Sequence, residues 1–452
     1  MMNTVSRGVL LLLVMLGTFL PGIAPAGDTS SGLLPQPLSL EKAVAYGLAH
    51  NRTFMAAKQD VYASNEKVRQ ARADFFPKLD TSYTFRQTND QPFAVFGSSR
   101  VFTGSNSLNH WEINISQPLF SGFGLTSRFN ISKMDLKISE CSLEGARLDI
   151  IRDIKHAFLQ TLLGEKLLKV ARDNVKSLEV QRHNAEAQFQ QGLSARNDIL
   201  KADVALSRAQ QQERATAKQL VILKSRLNQL LDLDLHKTIE LSEVDIQPRP
   251  VPNIEDLYAR AERLRPEYLS LEVSIRQARE GITAARSRYY PQVSAFGQYY
   301  REGEDFPADT NNFANNHNAA VGLKVDWNWF EGGKTDAAAK ESQFRQLALE
   351  ERRRDLKQQI RIQVQDAYEQ LQVAGANLET TQTALKQAGE NERMTSLQYQ
   401  EQLVIFLEVL NAQVFVAQSR ADYYQASYGC ELARADLERA IGGALSMEEG
   451  KN

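Results

Sequence analysis

Cysteine is nearly absent from this chain of 452 residues: only Cys141 and Cys430 occur, so neither a disulfide framework nor a Cys/His metal site can be drawn. The six histidines (His50, His110, His156, His183, His236, His317) are scattered, with no pair at i,i+4, no nucleophile elbow and no phosphate-cradling glycine loop. We therefore expect neither an enzyme nor a metal or cofactor site. Positive charge is also lacking in excess: 53 Lys and Arg stand against 55 Asp and Glu, and no basic cluster interleaves with aromatics. That removes the footprint of nucleic-acid binding. Beyond the N-terminus no apolar run approaches the ~20 residues of a membrane-spanning helix. If the protein enters a membrane, strands take it there.

What is present starts with a targeting pattern. Arg7, an apolar run from Val9 to Leu20, Pro21-Gly22 and Ala24-Pro25-Ala26 read as a secretory signal peptide covering residues 1–26. No cysteine follows the cleavage position, so a lipid anchor there is excluded.

The rest of the chain is written twice. "ARADFFPKLDTSYTF" (Ala71 to Phe85) returns as "ARSRYYPQVSAFGQY" (Ala285 to Tyr299), 214 positions on. "FQQGLSARNDILKA" (Phe189 to Ala202) returns as "YQEQLVIFLEVLNA" (Tyr399 to Ala412), 210 positions on. The four-residue change falls in two Asn/Gly/Ser-rich stretches, Gln87 to His110 and Arg301 to Asn318, which read as loops. The expected organisation is a first repeat over 27–231, a linker over 232–252 holding Pro248, Pro250 and Pro252, a second repeat over 253–441 and a tail over 442–452.

Each repeat reads as helix, two strands around a loop, a very long helix, a turn and a helix. Ile360, Val364, Ala367, Leu371, Ala374, Leu378, Thr381, Leu385 and Ala388 alternate steps of four and three, and subtracting 210 gives Ile150, Ile154, Ala157, Thr161, Gly164, Leu168, Ala171, Val175 and Leu178. That period marks coiled-coil packing, and its many small residues imply close helix approach. The long helices, Phe123 to Phe189 and Lys334 to Tyr399, would span ~100 Å each at 1.5 Å per residue. The flanking helices, Glu41 to Asp74, Ala195 to Leu231, Ile254 to Arg288 and Phe406 to Ile441, are near half that length. Two short helices stacked end to end match one long one, with turns at Gln191-Gly192-Leu193 and Glu401-Gln402-Leu403 at one end and the strands at the other. On that layout Cys141 and Cys430 lie tens of ångströms apart, and no intrachain disulfide is expected.

The strands alternate. Leu79, Thr81, Tyr83 and Phe85 oppose Lys78, Asp80, Ser82, Thr84 and Arg86; Trp111, Ile113, Ile115 and Leu119 oppose Glu112, Asn114 and Ser116; Val321, Leu323, Val325, Trp327 and Trp329 oppose Lys324, Asp326 and Asn328. The third strand, Val293 to Tyr300, is weaker, with Phe296 and Tyr300 on the polar face. At about 9–10 residues each has the length of a tilted strand crossing a bilayer. A soluble sandwich would hide the same faces, but four strands between long helices cannot bury one another well. Nor can four close a barrel, since the smallest single-chain membrane barrels use eight, so copies must pool strands, and three chains give twelve.

At this point the chain resembles the TolC family of outer-membrane efflux channels. The resemblance rests on the aromatic-Pro pairs Phe76-Pro77 and Tyr290-Pro291, the exits Phe120-Ser121-Gly122 and Phe330-Glu331-Gly332, and the two turn segments quoted above. It implies a mostly α fold with membrane β-strands: a homotrimer whose long coiled-coil hairpins form an α-helical barrel continuous with a twelve-stranded β-barrel, four strands per chain. It further implies a place in the outer membrane, reaching into the periplasm, with outer-membrane lipid, a periplasmic adaptor and an inner-membrane pump as partners. Family members often carry "DVLDA" after the second turn; here Glu408-Val409-Leu410-Asn411-Ala412 keeps one acid, so Glu408 and Asn411 are candidates for a charged periplasmic entrance. Asp198, the first-repeat counterpart, has Lys201 at i+3 to pair with. Gly192 and Leu193, and Gln402, Leu403, Ile405 and Phe406, mark the hairpin tips as adaptor contacts or a gate, against the alternative of ordinary helix packing. Small molecules are the expected cargo and type I protein secretion the alternative. A soluble periplasmic coiled-coil structural protein would leave the signal peptide and strands unexplained.

Overall fold

The computed structural model describes residues 36–246 and 250–445; the signal peptide, residues 27–35, Pro248 and the tail beyond 445 lie outside the described residues. In chain order the helices are α1 (Leu40–His50), α2 (Arg52–Ala73), α3 (Gly124–Gln190), α4 (Arg196–Leu230), α5 (Ile254–Leu264), α6 (Pro266–Arg286), α7 (Lys334–Gln400) and α8 (Phe406–Ile441). The strands are β1 (Lys78–Gln87), β2 (Phe93–Phe96), β3 (Ser99–Phe102), β4 (Ser107–Phe120), β5 (Gln292–Gly303) and β6 (His317–Asp326). Helices α3 and α7 are 67 residues each, ~100 Å long, and begin 210 positions apart.

The first helix expected in each repeat is in fact two, a correction with a local cause. Asn51 ends α1 and caps α2: its Oδ1 accepts from Phe54 N at 3.1 Å, while its Nδ2 donates to Leu230 O at 3.0 Å at the end of α4. A side chain that satisfies two helix termini holds the break open. In the second repeat the same position is Arg265, and Pro266 follows it as the first residue of α6. Proline drives its predecessor out of the helical region and is itself at home at the first helical position, so different chemistry breaks both repeats at one place.

The turns at the far end share one geometry. Gly192 N donates to Phe189 O at 2.9 Å and Leu193 N to Gln188 O at 2.9 Å; 210 positions on, Gln402 N donates to Tyr399 O at 3.0 Å and Leu403 N to Gln398 O at 2.8 Å. This is the Schellman closure, which needs a left-handed residue: Gly192 has φ 76° and Gln402 φ 61°. Glycine adopts that conformation freely, whereas Gln402 is held in it under strain.

Near the sheet α3 runs between α2 and α6, and towards the tips between α4 and α8. Its seam is accordingly buried along nearly its whole length, from Ile150 to Leu178. At Gly164 an added Cβ would lie 3.1 Å from Leu223 and 3.2 Å from Leu220, the close helix approach expected from the small residues. Helix α7 packs on α5, α6 and α8. In its seam Ile360, Val364, Ala367 and Leu371 are buried, but Leu378, Thr381, Leu385 and Ala388 are only half-buried. One sequence pattern thus has two outcomes because one long helix is flanked on both sides and the other is not.

Between the two levels, residues 38 and 241 form a short parallel bridge, with Leu38 N donating to Glu240 O at 2.8 Å and Ser242 N to Leu38 O at 2.9 Å. Beside it, the Arg439 guanidinium of α8 donates to Asp149 of α3 and Glu267 of α6, both at 2.5 Å, and Arg265 donates to Glu267 at 3.2 Å. Burial works to raise the Glu267 pKa, but hydrogen bonds from Arg439 and then Arg265 more than reverse it and hold the carboxyl at about 2. Cys141 and Cys430 are both buried, free thiols.

Candidate functional site

The four-stranded sheet has the order β1-β4-β5-β6, antiparallel throughout. Register follows from the alternation. Leu79 sits opposite Ile115, Ile115 opposite Gly297 and Gly297 opposite Val321; Ala295 sits opposite Leu323 and Val293 opposite Val325. These residues share one face, and it is bare: Val321 is 89% exposed and Leu323 68%. The opposite face carries Asp80, Asn114 and Gln298 in one row, Ser82, Glu112 and Tyr300 in the next, then Thr84, His110 and Glu302. Gln298 donates to the Glu112 carboxylate, and the His110 Nδ1 lies 3.1 Å from Glu302 Oε2. Phe296 breaks the polar face; its ring lies over Gly322, where a Cβ would come within 2.9 Å.

Aromatic groups stand at both ends of the apolar face. At the end away from the helices Tyr83, Trp111 and Phe306 cluster with ring centroids 4.6 to 5.6 Å apart, and Trp111 Nε1 donates to Phe306 O at 2.8 Å. At the helical end Trp327 and Trp329 lie 4.5 Å apart. These two tryptophans lie beyond the strand in which the alternation places them. The ladder stops where Asp326 pairs with Gln292, because the chain before Gln292 has already turned into the 3-10 segment Ser287–Tyr289. An apolar band bordered by aromatics, above a polar opposite face, is the surface pattern of a strand wall between lipid and water.

The described sheet does not close on itself. β1 and β6 each keep one unpaired edge, and the chain alone forms no barrel. A second departure lies in the stretch from Gln87 to His110, expected as loop, which contains the hairpin β2–β3. The signal was legible: "FAVFGSSRVF" holds two short apolar runs around Gly97, whose φ is 64°.

At the tips, Phe406 is only 2% exposed: its side chain is taken up by helix packing, the alternative that the sequence leaves open for it. It packs into one cluster with Val175, Leu178, Ala202 and Leu410, and its ring lies tilted against Tyr399 with centroids 5.7 Å apart, joining the two hairpins. Tyr399 Oη also donates to Gln188 Oε1 at 2.6 Å across the same joint, a contact that sequence spacing could not show. Leu403 is 74% and Ile405 63% exposed, with Leu193 beside them in character. Glu408 and Asn411 are exposed, and Lys201 Nζ lies 3.3 Å from Asp198 Oδ1, the pairing expected from their spacing. Among the described residues no group of three or more His, Cys, Asp or Glu could hold a metal, and no helix is long and apolar enough to cross a membrane.

Comparison with known proteins gives a consistent picture. The outer membrane efflux protein family matches twice, over residues 46–232 and 257–443. The alkaline protease secretion protein AprF of Pseudomonas aeruginosa is 23% identical over 426 residues, covering 89% of this chain and 86% of that protein. The outer membrane channel CmeC of Campylobacter jejuni has a similar fold (TM-score 0.78, 15% identity, 91% of this chain and 87% of that one). So does the outer membrane protein VceC of Vibrio cholerae (TM-score 0.76, 16% identity, 90% and 97%). With both repeats matched and the channel-like sheet and paired hairpins in place, the chain belongs to the outer membrane efflux protein family, a family of channels rather than enzymes.

Proposed function

We propose that three copies of this chain form one duct through the outer membrane and periplasm, receiving cargo from an inner-membrane pump through a periplasmic adaptor. The observation that carries this is that the chain is unfinished at matching places. β1 and β6 present free ladder edges, and the α7 seam is half-open over the same flank. A free β6 edge of one copy pairing with the β1 edge of the next satisfies the ladder groups that both leave unpaired. Three copies then close twelve strands with the apolar band outside and Glu112, His110 and Glu302 in water within.

At the other end, Leu403 and Ile405 of the second hairpin and Gly192 and Leu193 of the first are the proposed adaptor contacts. Glu408 has no ion pair among the described residues, while Asp198 is offset by Lys201. Three Glu408 carboxylates at the mouth, with Asn411 beside each, would favour cations. Small molecules are the proposed cargo. Protein export is the second reading, favoured by the likeness to a protein named for alkaline protease secretion.

Density-gradient fractionation with a urea or carbonate wash tests the placement. Retention in the outer-membrane band supports it, and release into the soluble fraction ends it. Leu403→Ser with Ile405→Ser should abolish adaptor capture while leaving the trimer intact. In a deletion strain, hypersensitivity to small toxic compounds supports the first cargo, and loss of a secreted protein without hypersensitivity supports the second.

A further inference from the structure

The hairpin β2–β3 is left uncovered by its own chain. Phe93 pairs with Phe102 and Val95 with Arg100 on one face, and Ala94 with Val101 and Phe96 with Ser99 on the other, so both faces are apolar. Phe96 is 69% exposed, and the extensive contacts of the hairpin are those between its own two strands. The second repeat builds nothing like it: residues 304–316 in the corresponding place form a turn-rich loop pinned by Asp305, with Phe306 and Phe313 exposed.

We infer that β2–β3 is a clasp, covered in the assembled channel by the 304–316 loop of the neighbouring copy. Three observations choose that occupant over lipid or the chain itself. β1, of 10 residues, is roughly 33 Å long, and at the usual tilt it already crosses the ~25 Å apolar band, so the hairpin stands beyond the reach of hydrocarbon. A lipid surface covers one face of a ribbon, and this ribbon has two apolar faces; an isolated two-stranded hairpin of that kind is at best marginal in water. Finally, the hairpin rises from β1 and β4, and β1 is one of the two free edges of the sheet. The strand that fills that edge in the proposed assembly is the neighbour's β6, which brings the neighbour's 304–316 loop against the hairpin. In every copy Phe306 of that loop is held on its own chain's Tyr83 and Trp111, which leaves the exposed Phe313 as the aromatic that the loop offers to the neighbour's hairpin. The inference rests on the trimeric reading above and adds a specific contact at the outer rim, repeated three times rather than six because only the first repeat supplies the hairpin.

The test co-expresses a tagged chain carrying Phe96→Cys with an untagged chain carrying Phe313→Cys, leaving the buried Cys141 and Cys430 in place. Mixed oligomers purified in detergent are sized by native mass spectrometry and then treated with a short bis-maleimide. The expected result is a covalent tagged–untagged dimer at least tenfold above either single variant. Phe96→Ser with Phe102→Ser should lower the temperature at which the trimer dissociates in dodecyl sulfate. Mixed trimers with no cross-link overturn the clasp and leave the trimer standing; labelling of the introduced thiol of the Phe96→Cys chain by water-soluble reagent then assigns the hairpin to solvent, and labelling only by lipid-soluble reagent assigns it to the membrane. If no trimer forms at all, the assembly reading falls and takes the clasp with it.

Discussion

Replacing Glu267 by Gln should make the protein less stable at neutral pH and leave it unchanged in strong acid. Glu267 accepts hydrogen bonds from Arg439 at 2.5 Å and Arg265 at 3.2 Å, and its pKa stands at about 2 instead of the ordinary 4.5. At about 1.36 kcal/mol per pH unit that gap corresponds to about 3.4 kcal/mol, which solvent screening of the 36% exposed side chain reduces to about 1–2 kcal/mol. A carboxyl with a depressed folded pKa stabilises the protein fully above its unfolded value and loses that contribution as pH falls through the folded one. The wild-type advantage over Glu267→Gln should therefore be complete above about pH 5, shrink between about 4.5 and 2, and vanish below. Chemical denaturation of the detergent-solubilised protein at a series of pH values measures it. A difference that stays constant with pH would mean that the substitution acts through packing and that the charge network contributes nothing.

Three further outcomes follow from single residues. Phe406→Ala should cost about 3–5 kcal/mol, the usual loss for a fully buried aromatic, and should speed amide exchange at 398–406 and 185–190 together, since the side chain joins both hairpins; exchange changing at one tip only would contradict that joint. Gln402→Gly should slow exchange around the second turn and stabilise it by about 0.5–1 kcal/mol, relief of left-handed strain outweighing the added freedom of the unfolded chain; faster exchange would show that Gln402 is not strained. A thiol reagent should find neither cysteine in the native protein and two per chain after unfolding, because burial pushes both the Cys141 and the Cys430 thiol up. Fewer than two in denaturant would reveal a disulfide.

Much of this architecture was legible from the chain alone, because it is carried by short periods that repeat. The step of three and four along Ile360 to Ala388 names the buried stripe of a long helix, the step of two along Leu79 to Phe85 names one face of a strand, and the 210 and 214 offsets announce two repeats. Helix breaks were also written locally, in Asn51 and in Arg265-Pro266, and the hairpin in "FAVFGSSRVF", although the simpler reading of these stretches is a continuous helix or a loop. What no local period could decide was which stripes find a neighbour. Leu168 and Leu378 occupy equivalent places 210 residues apart, yet the first is buried and the second half-open, because α3 has helices on both flanks. Phe406 belongs to an apolar run that reads equally as adaptor contact, gate or helix packing, and it is buried because α3 and α4 of the other hairpin stand against it. The Glu267 pKa depends on Arg439, 172 residues away. Periodicity records what a segment must turn away from water; the residues that receive it come from elsewhere in the chain, and only the folded arrangement brings them together.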